Sequence, residues 1–214
     1  MLGVSDGAAE DLRYLLGRGY GRISSVKFIG DKHMLDKPQR LLLYRGVYPP
    51  DAATAHQKKL VTPGDLRQTG LSVDGFNVLL TVNSALKGVP VFLCDDGFVR
   101  DVSEIHSSAS KEDLTKPLEH TIASLSDLET GGAHFVFDRL ISKSGEFSKQ
   151  VAQELKSNSV PGGASTATSA DFEVLKKGGI VSSSDSIIIE RAERVFDLAA
   201  YVIMNKLHLT PPKI

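Results

Sequence analysis

Four apolar runs decide the fold, and each carries an acidic residue at or near its end: LSVDGFNVLL (71–80), VPVFLCDDG (89–97), AHFVFDR (133–139) and GIVSSSDSIIIE (179–190). The acids are Asp74, the pair Asp95 and Asp96, Asp138, and Asp185. Strand-like runs that alternate with helix-like stretches are typical of βαβ units with a mainly parallel sheet. An acid at the carboxyl end of such a strand faces the crevice where open α/β sheets bind ligands.

Acids that converge on one crevice repel one another, because like charges a few ångströms apart disfavour ionisation. A divalent cation removes that repulsion, and an oxygen-rich site suits Mg²⁺ or Mn²⁺. We therefore expect Mg or Mn as the cofactor, with Asp74, Asp95, Asp96 and Asp185 among the metal ligands. The alternatives stay open: Asp185 fits a helix cap, and Asp95 or Asp96 fits an ion pair with Arg100.

The composition limits the classes of protein to which the chain can belong. It has 214 residues, 41% of them hydrophobic and 24% charged, as expected of a soluble globular protein. A formal net charge of −1 provides no global basic field for nucleic acid. The single cysteine, Cys94, excludes an internal disulfide and a Cys-rich zinc site. No apolar run has the length of a membrane span, and the N-terminus lacks the pattern of a secretory signal, so we expect no membrane partner and a cytoplasmic location.

Two regions follow from the change of pattern along the chain. Residues 1–55 predict a helical headpiece, and residues 70–207 predict an α/β domain with a three-layer, mainly parallel sheet. In the headpiece, a helix starts near Asp6, residues 23–35 form a helix or a strand, and Asp36-Lys-Pro38 opens another helix. In the domain we predict strands at 71–75, 90–94, 133–138, 164–168 and 179–183, helices at 76–87, 116–128, 145–157, 170–177 and 186–204, and a polar excursion at 95–115.

Three segments taken together resemble the PIN-like and NYN-like nuclease superfamily: VDGFN (73–77), TSADFEVL (168–175) and SSSDSIII (182–189). Members of that superfamily are Rossmann-like domains whose clustered acids bind Mg²⁺ or Mn²⁺ for phosphodiester hydrolysis. The resemblance implies catalytic and metal-binding roles for Asp74, Asp171 and Asp185, with Asn77 and Ser184 in support.

The sequence departs from that superfamily at one acid, which usually lies on a helix in the middle of the domain. Its counterpart here is undecided among Asp95, Asp96, Asp101 and Glu104. Taken singly, Asp171 also fits an acid that stabilises the first turn of a helix.

Almost the whole chain also resembles an archaeal family that is described as a domain of unknown function. The resemblance is carried by RGYGRISSVKFIGDKHMLDKPQRLLLYRGV (18–47), DGFNVLL (74–80), CDDGFVRD (94–101) and FDRLISKSGE (137–146). It implies a helical N-terminal region joined to the α/β domain, and it implies no activity.

Two further stretches could bind anions. In DRLISKSGEF (138–147), backbone N–H groups and hydroxyls at the start of a helix suit phosphate, which points to Arg139, Ser142, Ser144 and Gly145. A plain helix cap is the alternative for that stretch. The headpiece is rich in arginine and lysine, Arg40 and Arg45 among them, with interleaved tyrosines that could stack on bases. A solvated basic face is the alternative there.

These patterns predict a metal-dependent nuclease that acts on RNA, with the headpiece in contact with the nucleic acid. A catalytically inactive module that binds nucleic acid or protein is the main alternative. A phosphatase or phosphate-binding protein centred on residues 139–145 is another. A homodimer also stays open.

Overall fold

The computed structural model describes residues 3, 5–102 and 113–214. Residues 103–112 of the predicted polar excursion, including Glu104, lie outside the described residues.

The headpiece is helical, as predicted. It consists of α1 (Asp6–Gly17), α2 (Arg22–Lys32), α3 (Lys37–Gly46) and α4 (Pro50–Gln57), so the ambiguous second segment is a helix. The Asp36 side chain accepts a hydrogen bond from the N–H of Gln39, and the Gln39 side chain bonds back to Asp36, which fixes the start of α3. Apolar side chains from α1, α2 and α3 form a separate small core that includes Leu12, Ile29 and Leu43.

A five-stranded sheet forms the centre of the rest of the chain. Its strands are β1 (Gly70–Asp74), β4 (Gly132–Asp138), β5 (Gly162–Ala167), β6 (Ile180–Ser182) and β7 (Arg194–Val195), in the spatial order β5-β4-β1-β6-β7. Every recorded pairing between these strands is parallel. The prediction of a mainly parallel α/β sheet after a helical N-terminal region is therefore confirmed.

Helices cover both faces of this sheet. They are α5 (Gly75–Leu86), α6 (Thr115–Asp127), α7 (Ser144–Ser157), α8 (Ala170–Lys176), α9 (Ser186–Arg191) and α10 (Leu198–Asn205). Successive strand residues point to opposite faces. Accordingly, Phe135 and Phe137 join the core under α5, α6, α7 and α10, whereas Val136 joins the core under α8 and α9.

Two predicted elements differ from the structure. The strand predicted at 90–94 forms as β2 (Val91–Leu93), but its place in the parallel sheet was wrong, because β2 pairs antiparallel with β3 (Val99–Asp101) in a separate hairpin. Asp95 and Asp96 lie in the turn of that hairpin, where Gly97 adopts a positive φ of 84°. The hairpin also places a strand inside the predicted excursion.

The predicted helix 186–204 is also wrong, because it is broken into α9, β7 and α10. The backbone becomes extended at Ala192, and β7 then pairs with β6. The Asp197 side chain accepts a hydrogen bond from the N–H of Ala200 at 2.8 Å and starts the helix again.

Candidate functional site

Three adjacent strands end at the same edge of the sheet and bring their acids together. The strands β4, β1 and β6 lie side by side, and the chain leaves β1 towards β4 but leaves β6 towards β7. The gap beyond the carboxyl ends of β1 and β6 is therefore the topological switch point, where open α/β sheets bind ligands.

A cavity of about 300 Å³ opens at this point. Four carboxylates line it: Asp74 at the end of β1, Asp138 at the end of β4, Asp171 in the first turn of α8 and Asp185 before α9. The rest of its wall is formed by Arg45, Phe76, Asn77, Leu80, Ile141 and Ala170. We call this space the acidic cavity.

Asp74 is the most buried of the four acids, with 9% of its surface exposed. The Ser183 hydroxyl donates a hydrogen bond to its Oδ2 at 2.9 Å. Burial is the main cause that raises the pKa of Asp74 to about 7, and the negative charges of Asp171 and Asp185 raise it further. The chain thus holds a carboxylate near the midpoint of its titration at neutral pH.

Hydrogen bonds connect the two loops that flank the switch point. Asn77 Oδ1 accepts from the N–H of Ser184 at 2.9 Å and from the Ser184 hydroxyl at 3.0 Å. Asp185 accepts from the N–H of Ile187 at 2.7 Å, so it does cap α9. The capping oxygen is Oδ1, and Asp185 still lines the acidic cavity. These bonds fix the positions of Asn77, Ser184 and Asp185 relative to Asp74.

Asp171 and Asp138 complete the acidic wall. Partial burial is the first cause that raises the pKa of Asp171, and the charges of Asp185 and Asp138 add to it. Asp138 Oδ1 accepts from the N–H of Leu140 at 2.8 Å. Within the described part of the chain, no ion pair with a lysine, arginine or histidine is recorded for Asp74, Asp138, Asp171 or Asp185.

The donors of the acidic cavity suit a hard divalent cation. Carboxylate, amide and hydroxyl oxygens are the ligands that Mg²⁺ prefers. Over residues 3, 5–102 and 113–214, no three His, Cys, Asp or Glu side chains stand close enough together to hold one ion by themselves. Mg²⁺ commonly keeps several waters and uses one or two carboxylates together with substrate phosphate oxygens. The cavity fits that mode of binding and does not fit a cage made of protein ligands alone.

Asp95 is not brought to the acidic cavity. The Arg13 guanidinium donates two hydrogen bonds to its carboxylate, at 2.8 and 2.7 Å, and the N–H of Tyr48 donates a third at 3.0 Å. These bonds join the hairpin to α1 and to the segment between α3 and α4, so Asp95 holds the headpiece against the domain.

Asp96 is fully buried and also lies away from the acidic cavity. Arg100 donates two hydrogen bonds to it at 2.7 and 2.8 Å, and His56 Nδ1 lies 2.9 Å from its Oδ2. The alternative reading, an ion pair with Arg100, is therefore what the structure shows. The same guanidinium donates through Nε to the carbonyl of Ser184 at 2.7 Å, which links this buried cluster to the loop before Asp185.

A second cavity of about 250 Å³ adjoins the acidic one. The two cavities share Arg45, Asn77 and Asp185. The remaining wall of the second cavity comes from Arg22, Tyr44, Tyr48, Arg100, Ser184, Ser186 and Ile187. We call it the headpiece cleft, because α2 and α3 supply one side of it.

The predicted phosphate-binding residues are dispersed. Arg139 is exposed, and its Nη2 lies 3.5 Å from the Thr166 carbonyl oxygen. Ser142 and Ser144 line a different cavity of about 250 Å³, and Gly145 is exposed. Arg40 pairs with Asp31 at 2.8 Å inside the headpiece. Arg45 alone among these residues lines the acidic cavity, and it pairs with Asp101 at 2.6 Å.

Several residues at the site were not selected from the sequence. Asp138 was one of the strand-end acids named from the sequence, but it was not assigned to the metal site because it has no counterpart in the nuclease motifs. Arg22, Tyr44 and Tyr48 belong to the basic, tyrosine-containing headpiece without any motif that marks them, and Arg100 was predicted only as an ion-pair partner. Their approach to the cavity depends on how the headpiece packs, which no local pattern encodes.

The comparisons with known proteins give the chain a family. Residues 63–201 match the family described as "Domain of unknown function (DUF5616)". The chain belongs to the DUF5616 family. Residues 6–59 match a second family, "Protein of unknown function (DUF434)", so the two matches divide the chain between the headpiece and the α/β region. The resemblance to a domain-of-unknown-function family is thus confirmed, whereas the resemblance to PIN-like nucleases stays a prediction.

This DUF5616 chain has an archaeal relative. It is 29% identical to "Uncharacterized protein MJ0935" from Methanocaldococcus jannaschii over 198 residues, which cover 92% of this chain and 95% of the relative. No solved structure matches the chain. Among the described residues, no helix combines the length and apolar character that crossing a membrane requires.

Proposed function

We propose that this chain is a metal-dependent phosphodiesterase with a PIN-like arrangement of acids, and that its substrate is RNA. The observation that carries the proposal is the convergence of Asp74, Asp138, Asp171 and Asp185 on one cavity at the switch point of the sheet. These four carboxylates have no ion-pair partner among the described residues. A bound cation would offset the repulsion between their negative charges.

The raised pKa values support the same reading. Burial disfavours the charge of Asp96, but its hydrogen bonds to His56 and Arg100 outweigh burial and lower its pKa. Asp74 and Asp171 show the opposite shift because burial and neighbouring carboxylates disfavour their charge. Strongly perturbed carboxylates that lie in a cleft are typical of functional sites.

Mg²⁺ or Mn²⁺ would be held by one or two of the carboxylates of Asp74, Asp171 and Asp185 directly, and by the remainder through bound water. A divalent ion bound there would supply positive charge that activates water and offsets the charge that develops at phosphorus. Asp138, whose Oδ1 is engaged by a backbone N–H, keeps Oδ2 for orienting water. Asn77, Ser183 and Ser184 hold the two loops in place through the hydrogen bonds described above.

The test is cleavage of single-stranded RNA by the full chain with Mn²⁺ or Mg²⁺, compared with Asp74→Asn, Asp171→Asn and Asp185→Asn. Asparagine keeps the shape and the hydrogen-bond acceptor but removes the charge. We expect each variant to lose activity at least about a hundred-fold, the scale of removing one charge-stabilising group. Asp51→Asn, an exposed acid on α4, is the matched control and should cleave normally. Full activity in all three site variants would refute the proposal.

One observation favours a second candidate, a module that binds RNA without cleaving it. As they stand, no three acidic or histidine side chains of the described residues could hold an ion by themselves. Tight RNA binding by the wild-type chain, with no metal-dependent product under any condition in which the protein stays folded, would select this candidate.

A further inference from the structure

We infer that the headpiece cleft is a subsite for one nucleotide of a single-stranded substrate, with its phosphate at Arg22 and its base against Tyr44. This inference rests on the proposed function for the neighbouring acidic cavity. The starting observation is that the two cavities share Arg45, Asn77 and Asp185, so a chain bound at one of them continues into the other.

Arg22 is the available cation in the cleft. Of the three arginines that line it, Arg100 is paired with Asp96 and Arg45 with Asp101. Within the described residues, Arg22 forms no ion pair, and its recorded hydrogen bonds are from Nη1 to the carbonyls of Tyr44 and Val47, both at 2.7 Å. Its Nε and Nη2 donors therefore remain for an anion, and a guanidinium offers phosphate two parallel N–H groups.

The Arg22 guanidinium is held in place before any ligand arrives. It lies 4.5 Å from the centre of the Tyr48 ring and 5.9 Å from that of Tyr44. Stacking on aromatic faces and two carbonyl contacts fix its plane, so little side-chain entropy is lost when it binds phosphate.

Tyr44 supplies the surface for a base. Tyr44 is 43% exposed although it lines the cleft, and the same cleft includes the half-exposed Ile187. An exposed ring beside an apolar side chain suits the face of a nucleobase. A base inside a duplex is stacked on its neighbours and cannot reach such a ring, so the geometry favours a single strand.

The headpiece itself offers matched controls. Tyr14 on α1 and Arg18, which directly follows α1, form a similar pair with the guanidinium 5.3 Å from the ring centre, and neither lines the headpiece cleft. Tyr14 is 61% exposed. Arg22→Gln and Tyr44→Ala can therefore be compared with Arg18→Gln and Tyr14→Ala, which remove the same chemistry elsewhere on the surface.

The experiment measures the affinity for fluorescein-labelled single-stranded RNA by fluorescence anisotropy, with Mg²⁺ present. All variants carry Asp171→Asn, so that the RNA stays intact. We expect Tyr44→Ala to bind roughly ten-fold more weakly, within the range for losing one base stack. Arg22→Gln should also bind more weakly, and the slope of log K against log salt should fall by about 0.7, as for one lost phosphate contact on a single strand.

Arg22→Lys tests the role of the positive charge by itself, because lysine keeps the charge but lacks the planar guanidinium and its two parallel N–H donors. We expect it to retain most of the salt slope while binding less tightly than arginine. Tyr44→Ala is the variant least prone to unfold, because the recorded bond to Tyr44 uses its backbone carbonyl. Equal losses in Tyr14→Ala and Tyr44→Ala, or no binding by the parent chain, would overturn the inference.

Failure of the subsite and failure of the proposed hydrolysis give different results. If the chain cleaves RNA but Arg22→Gln and Tyr44→Ala leave KM unchanged, the subsite is wrong and the proposed function stands. If the chain never cleaves RNA but the two cleft variants alone weaken binding, the subsite stands and the hydrolysis is wrong.

Discussion

Asp74→Asn should make the metal-free protein less sensitive to a rise in pH. The folded protein has a pKa of about 7 at this buried carboxyl, against an ordinary value of 3.8. A group whose pKa is raised on folding stabilises the protein most below its unfolded pKa, and that contribution disappears as the pH rises through the folded pKa. The wild-type chain therefore loses stability between about pH 4 and pH 7 because of Asp74, and the asparagine variant does not.

The magnitude follows from the linkage between protons and folding. One pH unit between the two pKa values changes the free energy of unfolding by about 1.4 kcal/mol. Between about pH 5 and pH 8 the titration of Asp74 spans roughly two such units, so the wild type should lose about 2 to 3 kcal/mol relative to Asp74→Asn. Asp197, whose burial raises its pKa to about 6, acts in the same direction but is present in both proteins. It therefore cancels from the comparison.

The assay is urea denaturation followed by circular dichroism at several pH values, with EDTA present. Asp51→Asn is the control for the loss of one surface carboxylate. Parallel stability curves for the wild type and Asp74→Asn would refute the reasoning, because they would mean that Asp74 titrates equally in the folded and unfolded chains. Added Mg²⁺ should raise the stability of the wild type at about pH 8 more than that of the variant.

Three further results are expected. Asp96→Ala should lower the free energy of unfolding by about 3 to 5 kcal/mol, measured in urea, because it leaves a buried guanidinium without its carboxylate; a loss below about 1 kcal/mol would contradict this. Gly75→Ala should lower the free energy of unfolding by about 1 to 3 kcal/mol, measured by thermal denaturation, because a Cβ there would overlap the buried ring of Phe137. Gly145→Ala is the control and should be nearly neutral, because a Cβ there meets open space. Asp95→Asn should retain metal-dependent RNA cleavage in the assay proposed above if the protein stays folded, and a loss as large as that of the cavity variants would place Asp95 in the site after all.

The parallel sheet could be predicted from the sequence because its signals are local. Short apolar runs alternate with helix-like sequence, and this alternation indicates βαβ units. The runs include Leu71, Val73, Phe135 and Phe137. The carboxyl ends of parallel strands lie at a common edge of the sheet. The local sequence therefore also predicted that Asp74 and Asp185 lie near each other.

The hairpin could not be predicted in the same way. Its two strands have three residues each, too few for a period of two to be distinguished from a loop. The error carried over to Asp95 and Asp96, which were assigned to a sheet edge that the hairpin never reaches. The partner of Asp95 is Arg13, which lies 82 positions away in the chain, and no local pattern connects them.

The break between α9 and α10 was missed for a different reason. The apolar spacing through Ile188, Ile189, Phe196 and Leu198 continues across it, so periodicity alone suggests one helix. The signal that could have revealed the break is Asp197, a residue suited to starting a helix, directly before the apolar stretch of α10.

The buried cluster of Asp96, Arg100 and His56 has a consequence for the evolution of the chain. Its side chains come from both family matches, since His56 lies in the region of residues 6–59 and the other two lie in 63–201. A recombination event that replaced one region with a distant counterpart would remove the buried hydrogen bond between His56 and Asp96 and leave a buried polar group without its partner. We therefore expect the two regions to be inherited as a single unit, with substitutions at one side of the cluster compensated at the other.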